Sequence, residues 1–166
     1  MGAVGAQRRS RPGRDGLCAE GRRIQARHDD ARHAGAPTAG LQLHDGVIRA
    51  SIAAATRAGD EPVPSTDLGE PEMEPGLAGW VMVHKEVAVA GAWSFLHEQD
   101  CGVYAVGTVP GWRRRGLARS LVEHVLADAR GHGARTATLQ STRIAQQLYQ
   151  SLGFEPAGRY EEWVSG

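Results

Sequence analysis

The stretch from Val103 to Gly133 limits the fold more than any other part of the chain. Val103 to Val109 is an apolar run of strand character. It passes through Pro110-Gly111-Trp112-Arg113-Arg114-Arg115-Gly116 into a segment of helical spacing. There Leu117, Leu121, Val125 and Ala129 make one stripe, Ala118, Val122 and Leu126 lie beside it, and Gly131 and Gly133 stop it. A strand, a basic turn and a helix in direct succession call for a sheet with a helix packed on its face. They also make a place for an anion. The first amides of a helix have no partners inside it, and the helix dipole adds partial positive charge there. Gly116 lets the main chain approach an anion closely, the small Ala118 leaves room for a diphosphate, and three consecutive arginines supply charge and donors.

The rest of the chain divides into three parts. Residues 1–40 are dominated by Arg, Gly, Ala and His and have only Val4, Leu17 and Ile24 as large aliphatics, so they are expected to be disordered or loosely helical. Residues 41–78 offer one weak helix over Leu41 to Ala58, closed by Gly59. An acidic loop follows, in which Pro62, Pro64, Pro71 and Pro75 exclude regular structure. Residues 79–166 read as the folded domain. Strands are expected over Trp80 to His84, Val87 to Phe95 with a bend at Gly91, and Val103 to Val109. After the long helix come a strand over Thr136 to Gln140, a helix capped by Ser141 or Thr142 and ended by Gly153, and a strand over Tyr160 to Val164. Ile144, Ala145, Leu148 and Leu152 form the expected inner face of that helix. The order is that of a mixed α/β (α+β) fold.

With 166 residues, 41% hydrophobic and 23% charged, the chain suits one globular domain plus spare length. The formal net charge of zero argues against nucleic acid as a partner, although the arginines of residues 8–32 leave a basic arm as one reading of that segment. Cys18 and Cys101 are too few and too isolated for a disulfide framework or a zinc site, and no metal is expected. Without a secretory signal or a run of about 20 apolar residues, a cytoplasmic protein with no membrane partner is expected.

The basic turn lacks the Gly-Lys-Ser/Thr ending of a Walker loop and the Gly-x-Gly-x-x-Gly dinucleotide fingerprint. It does match Arg-x-x-Gly-x-Ala, through Arg113, Gly116 and Ala118, and here the chain resembles the GNAT acetyltransferase superfamily. A second match lies about thirty residues on, where Ala145-Gln146-Gln147-Leu148-Tyr149-Gln150-Ser151-Leu152-Gly153-Phe154 resembles the family's Ala-x-x-Leu-Tyr-x-x-x-Gly-Phe segment. The resemblance covers Trp80 to Val164. It implies a GNAT-type fold: a central, mostly antiparallel sheet flanked by helices, splayed between the strands at Val103 to Val109 and Thr136 to Gln140. Coenzyme A would lie in that gap. Arg113, Arg114, Arg115, Gly116, Leu117 and Ala118 would cradle its pyrophosphate, while Val106, Gly107 and Thr108 would meet the pantetheine, with Thr142 and Tyr149 also on the cofactor side. Tyr149 corresponds to the family tyrosine that returns a proton to the departing thiolate.

For the general base, Glu98 is the candidate taken forward. Asp100, His97 and Tyr104 lie close by in sequence, and Glu161 and Glu162 lie on the last strand. Cys101 has no evident histidine partner as a nucleophile, and His124 is expected at the surface. Residues 1–78 depart from the family pattern, and after Phe154 there is room for one strand where the family commonly has two. The N-terminal part is therefore atypical, and a homodimer could complete the sheet or the site. The resemblance implies an N-acetyltransferase using acetyl-CoA as cosubstrate and a free amine as acceptor. The alternatives are a non-catalytic acyl-CoA-binding module of the same fold, and a nucleic-acid partner held by the N-terminal arm.

Overall fold

The structure, a computed structural model, describes residues 19–27 and 46–162; for residues 19–27 and 159–162 it describes the main chain alone. In chain order the elements are β1 (Ala19–Arg27), β2 (Val47–Ala50), α1 (Ile52–Arg57), β3 (Val63–Pro64), β4 (Leu77–His84), β5 (Val87–His97), β6 (Asp100–Thr108), α2 (Leu117–Gly131), β7 (Thr136–Thr142), α3 (Gln146–Gln150) and β8 (Glu155–Glu162). The strands form one sheet in the order β2-β4-β5-β6-β7-β1-β8, with β3 paired to β5. Among the described residues only β6 and β7 run parallel, as a strand–helix–strand crossover through α2 requires. The other pairs are antiparallel.

The sheet buries both faces, unequally. Strand alternation sends Trp80, Met82, Ala92, Cys101 and Val103 to one side, where they meet Leu117, Leu121, Val122 and Val125 of α2. Leu121 and Val122 are wholly buried, and the stripe read from the sequence is the one α2 turns inward. On the other face lies α1, with Ala50, Ala54, Ala55, Val63 and Val81 in a smaller core. This helix and the residues flanking it meet three strands at three glycines. A Cβ on Gly79 of β4 would strike the main chain of Ala50 and Ser51. On Gly91 of β5 it would strike that of Ala55, and on Gly107 of β6 that of Gly59. Only glycine permits main chain to lie on main chain this closely.

Several expectations need correction. The helix expected over 41–58 is shorter where it is described: residues 47–50 are a strand, with Val47 and Ile48 paired to Met82 and Val81, and the helix starts only after Ser51. The Ser51 hydroxyl accepts from the Ala54 amide at 3.2 Å and donates to the Leu68 carbonyl at 2.9 Å, which fixes the start of α1 and ties the acidic loop to it. Glu72 adds a second tie, its Oε1 accepting from the Ile52 amide at 2.6 Å. That loop also holds the short strand β3 and a 3₁₀ turn at Ser65–Asp67, with Pro64 at the end of an edge strand, where its missing N–H does no harm.

The larger correction concerns the N-terminal segment. Residues 1–18 and 28–40 of the expected unstructured stretch lie outside the described residues, but residues 19–27 form β1. This strand pairs on one side with β7 from Gly21↔Thr142 to Arg27↔Thr136, and on the other with β8 from Ala19↔Glu162 to Gln25↔Glu155. It therefore lies between β7 and β8 in the sheet. β8 itself starts at Glu155, five residues before the strand expected at Tyr160 to Val164, and Val164 lies outside the described residues.

Candidate active site

β6 and β7 pair from Asp100↔Thr136 to Val103↔Leu139, and there the pairing ends. Beyond it, β6 keeps only β5 as neighbour, through Trp93↔Tyr104, Gly91↔Gly107 and Ala90↔Thr108, while β7 continues against β1. The register on β6 shifts between these pairs, and Ala105 takes φ 48°, so the strand bulges where it leaves β7. The expected splay between these strands is present. Val106, Gly107 and Thr108 line its β6 side, partly exposed.

Thr108 leads into the basic turn. The Arg113 Nε donates to the Thr108 carbonyl at 2.9 Å, and Arg115 donates to the Gly111 carbonyl at 3.1 Å while its guanidinium lies 4.9 Å from the Trp112 ring centre. Trp112 meets His84 of β4 on its own account, ring centres 4.6 Å apart. Two arginines and two aromatic contacts thus hold the turn in shape. Gly116 then adopts φ 83° as the N-cap of α2, and no side chain caps the helix. A Cβ at Gly116 would meet nothing within 4 Å, so the space over the first turn is open. Uncapped amides, open space and the exposed Arg113, Arg114 and Arg115 make a cradle suited to a diphosphate. Leu117 turns inward and is buried, so it can meet a ligand only through its main chain, whereas Ala118 is half-buried. The buried hydroxyl of Thr108 has no hydrogen-bond partner among the described residues, as a group awaiting a ligand would. The residues present fit a coenzyme A pyrophosphate and pantetheine.

The Leu-Tyr-x-x-x-Gly-Phe segment forms α3 and its closing turn. Gly153 takes φ 86°, and the Phe154 amide returns to the Tyr149 carbonyl at 3.0 Å, a glycine-terminated helix end. The helix is shorter than expected and carries no side-chain cap from Ser141 or Thr142. Of the expected inner face, Ala145, Leu148 and Leu152 pack, partly buried, against the core. Tyr149 is the helix's one buried side chain, packed edge-on against Phe154, while Ile144 is almost fully exposed in the preceding turn. Arg119 in the first turn of α2 reaches the Ser151 hydroxyl, docking the end of α3 beside the cradle. Burial pushes the Tyr149 phenol up to about 12, so it keeps its proton at neutral pH. Thr142 stands exposed at the end of β7, its carbonyl accepting from the Ala145 amide at 3.1 Å.

Glu98 is not brought to this site. It is exposed, with φ 53°, in the two-residue turn that joins β5 to β6, so the whole length of β6 separates it from Thr108. Asp100 and His97 share that end of the sheet. The Asp100 carboxylate accepts from the Thr136 and Thr138 hydroxyls at 2.6 and 3.2 Å, and the His97 ring stacks on Phe95. The side chains of Glu161 and Glu162 lie outside the described set. Cys101 is buried in the core, and burial, followed by the carboxylates of Asp100 and Asp128, pushes its thiol up to about 12, which rules out a ready nucleophile. His124 is exposed, as expected, with its ring edge-on to Trp80. Sequence reading missed Trp112 and His84; Trp112 stood inside the turn, but nothing in the sequence pairs it with the end of β4.

The splayed, mostly antiparallel sheet with α2 packed on one face is the fold class of GNAT acetyltransferases. The sequence profile of the acetyltransferase (GNAT) domain matches residues 75–156. Those residues form a GNAT acetyltransferase domain. Solved structures agree on the fold. A GCN5-related N-acetyltransferase from Kribbella flavida superposes with a TM-score of 0.62 at 21% identity, over 92% of this chain and 60% of that one. A GNAT-family acetyltransferase from Novosphingobium aromaticivorans gives 0.57 at 20%, over 89% and 64%. The AAC(6')-Iy enzyme in complex with a bisubstrate analogue, CoA-S-monomethyl-acetylneamine, gives 0.56 at 18%, over 74% and 99%. The chain thus spans about three-fifths of the length of the first two. None of the curated proteins matches the sequence. No helix among the described residues is long and apolar enough to cross a membrane.

Proposed function

We propose that this chain transfers an acetyl group from acetyl-CoA directly to the nitrogen of an amine. The observation that carries the reading is the junction of β6 and α2: a strand that leaves its neighbour after Val103, a turn braced by its own arginines, and an uncapped helix start behind Gly116. Main-chain amides of that helix start would hold the pyrophosphate, with Arg113, Arg114 and Arg115 as counter-charge. Main-chain groups of Val106 to Thr108 would hold the pantetheine along the bulged strand and orient the thioester carbonyl. Acetyl-CoA supplies an acetyl group already activated as a thioester. The amine, as its free base, forms the new bond from nitrogen to the acetyl carbon as the carbon–sulfur bond breaks, and the nitrogen's surplus proton passes to solvent water. Tyr149, protonated at neutral pH, would give its proton to the leaving thiolate. The AAC(6')-Iy complex, a related fold joined to a coenzyme A–amine analogue, supports this chemistry by analogy.

The test is titration calorimetry with acetyl-CoA, beside Gly116→Glu, followed by thiol release in the presence of a panel of amines. Micromolar binding that the variant loses, together with amine-dependent thiol release, is the expected result. Binding without release from any amine would leave an acyl-CoA-binding module, and no binding by the folded protein would sink both readings.

A further inference from the structure

α1 covers only part of its face of the sheet. Past Gly79, Gly91 and Gly107, the same face continues as Trp93 and Phe95 on β5, Tyr104 on β6 and Leu77 on β4. Trp93 and Tyr104 are opposite one another and stack, ring centres 4.1 Å apart and planes 18° from parallel. Tyr104 leans over Gly102, where a Cβ would come within 2.6 Å of its ring, so the missing side chain makes the ring's bed. Tyr104 and Phe95 are each still 38% exposed. Strand alternation explains why these rings avoid the core, since their neighbours Ala92, Ser94, Cys101 and Val103 are the residues packed under α2. It does not explain why large aromatic rings stand at an open surface.

Their position does. Val103↔Leu139 is the last rung between β6 and β7, so Tyr104 is the first β6 residue beyond it, at the floor of the gap. The aromatic face is therefore continuous with the place where the thioester would lie. Toward the β5–β6 turn, Asp100 accepts from the Thr136 and Thr138 hydroxyls, and the His97 ring extends the aromatic surface by stacking on Phe95. What Trp93, Tyr104 and Phe95 offer for recognition is chiefly flat ring surface. We propose that the acceptor is an amine carrying an aromatic or aliphatic group, which lies against Trp93, Tyr104 and Phe95 with its nitrogen toward the gap. This inference rests on the acetyl-transfer reading and adds to it the class of acceptor and the residues that select it.

The test uses the full chain saturated with coenzyme A, which allows binding without turnover, and 2-phenylethylamine as probe. The Trp93 indole resonance, assigned with Trp93→Phe, is followed by NMR. It is expected to shift saturably in the parent and not in Tyr104→Ala. With acetyl-CoA, Tyr104→Ala is expected to raise KM for 2-phenylethylamine at least about tenfold and leave that for ethanolamine within about twofold. Retained acetyl-CoA binding shows that the variant folds. Tyr104→Phe, which keeps the ring, should keep the low KM and so exclude a proton-transfer role for the hydroxyl. Equal losses for both amines, or no shift in the parent, would overturn the proposal. So would a concentration-dependent dimer abolished by Tyr104→Ala, which would assign the face to a second copy. Thiol release from ethanolamine with no response to 2-phenylethylamine would leave acetyl transfer standing and sink this inference alone. A saturable shift with no turnover of any amine would retain the aromatic site and sink acetyl transfer.

Discussion

Gly107 on β6 and Gly59 just past α1 touch through their main chains: a Cβ on Gly107 would come within 2.5 Å of the Gly59 Cα. Gly107 lies in the strand that borders the cofactor gap, so the contact links the position of α1 to the shape of the site. Gly107→Ala is expected to destabilise the fold by about 1–3 kcal/mol through overpacking. Gly131→Ala, in the last turn of α2 where a Cβ meets nothing, is expected to stabilise by about 0.5–1 kcal/mol. Urea unfolding of the two variants measures the contrast, and similar midpoints for both would refute it.

Gly116 separates conformational strain from crowding. Its surroundings are empty, so Gly116→Ala carries no clash, but alanine at φ 83° costs on the order of 1–2 kcal/mol. If the turn relaxes to relieve that strain, the helix amides lose their alignment. Acetyl-CoA affinity is expected to fall about tenfold or more in calorimetry. Unchanged affinity would show that the cradle does not depend on the left-handed N-cap.

Tyr149 offers both a kinetic and a pH test. Tyr149→Phe keeps the ring that packs on Phe154 and removes the proton; kcat is expected to fall at least tenfold, on the order of a general acid's contribution, with acetyl-CoA affinity little changed. The pH effect on stability follows from the raised pKa. The folded state holds the proton up to about 12, whereas the unfolded chain releases it near 10. The contribution is therefore intact below pH 10 and lost as pH rises through about 12, amounting to roughly 2–3 kcal/mol. Denaturation of Tyr149→Phe across pH 9–12 should show a shallower loss than the parent, and identical slopes would contradict the assignment.

Cys101 should behave as an inert core thiol. In a Cys18→Ser background at pH 8, iodoacetamide is expected to label it only after urea unfolding, because burial and the Asp100 and Asp128 carboxylates suppress the thiolate. Labelling of the native protein at the rate of a free thiol would mean that this part of the core opens readily.

What could be read from the sequence was local. The α2 stripe of Leu117, Leu121 and Val125, the turn from Arg113 to Gly116 and the glycine that ends α3 each depend on residues a few positions apart, where periodicity and backbone preference act directly. Those features are the ones from which the proposed cradle and the role of Tyr149 are read. Three things were decided only in the tertiary structure. β1 has little apolar content and is held by main-chain hydrogen bonds to β7 and β8, so its strand character comes from partners more than a hundred residues away. Glu98 lies near the catalytic strand in sequence, yet a hairpin turn sends it to the far end of β6, because strand direction sets which end of the sheet a residue reaches. The Trp93–Tyr104 stack likewise exists through register, since two aromatics eleven residues apart face each other only once the β5–β6 hairpin and its bulge set which residues pair.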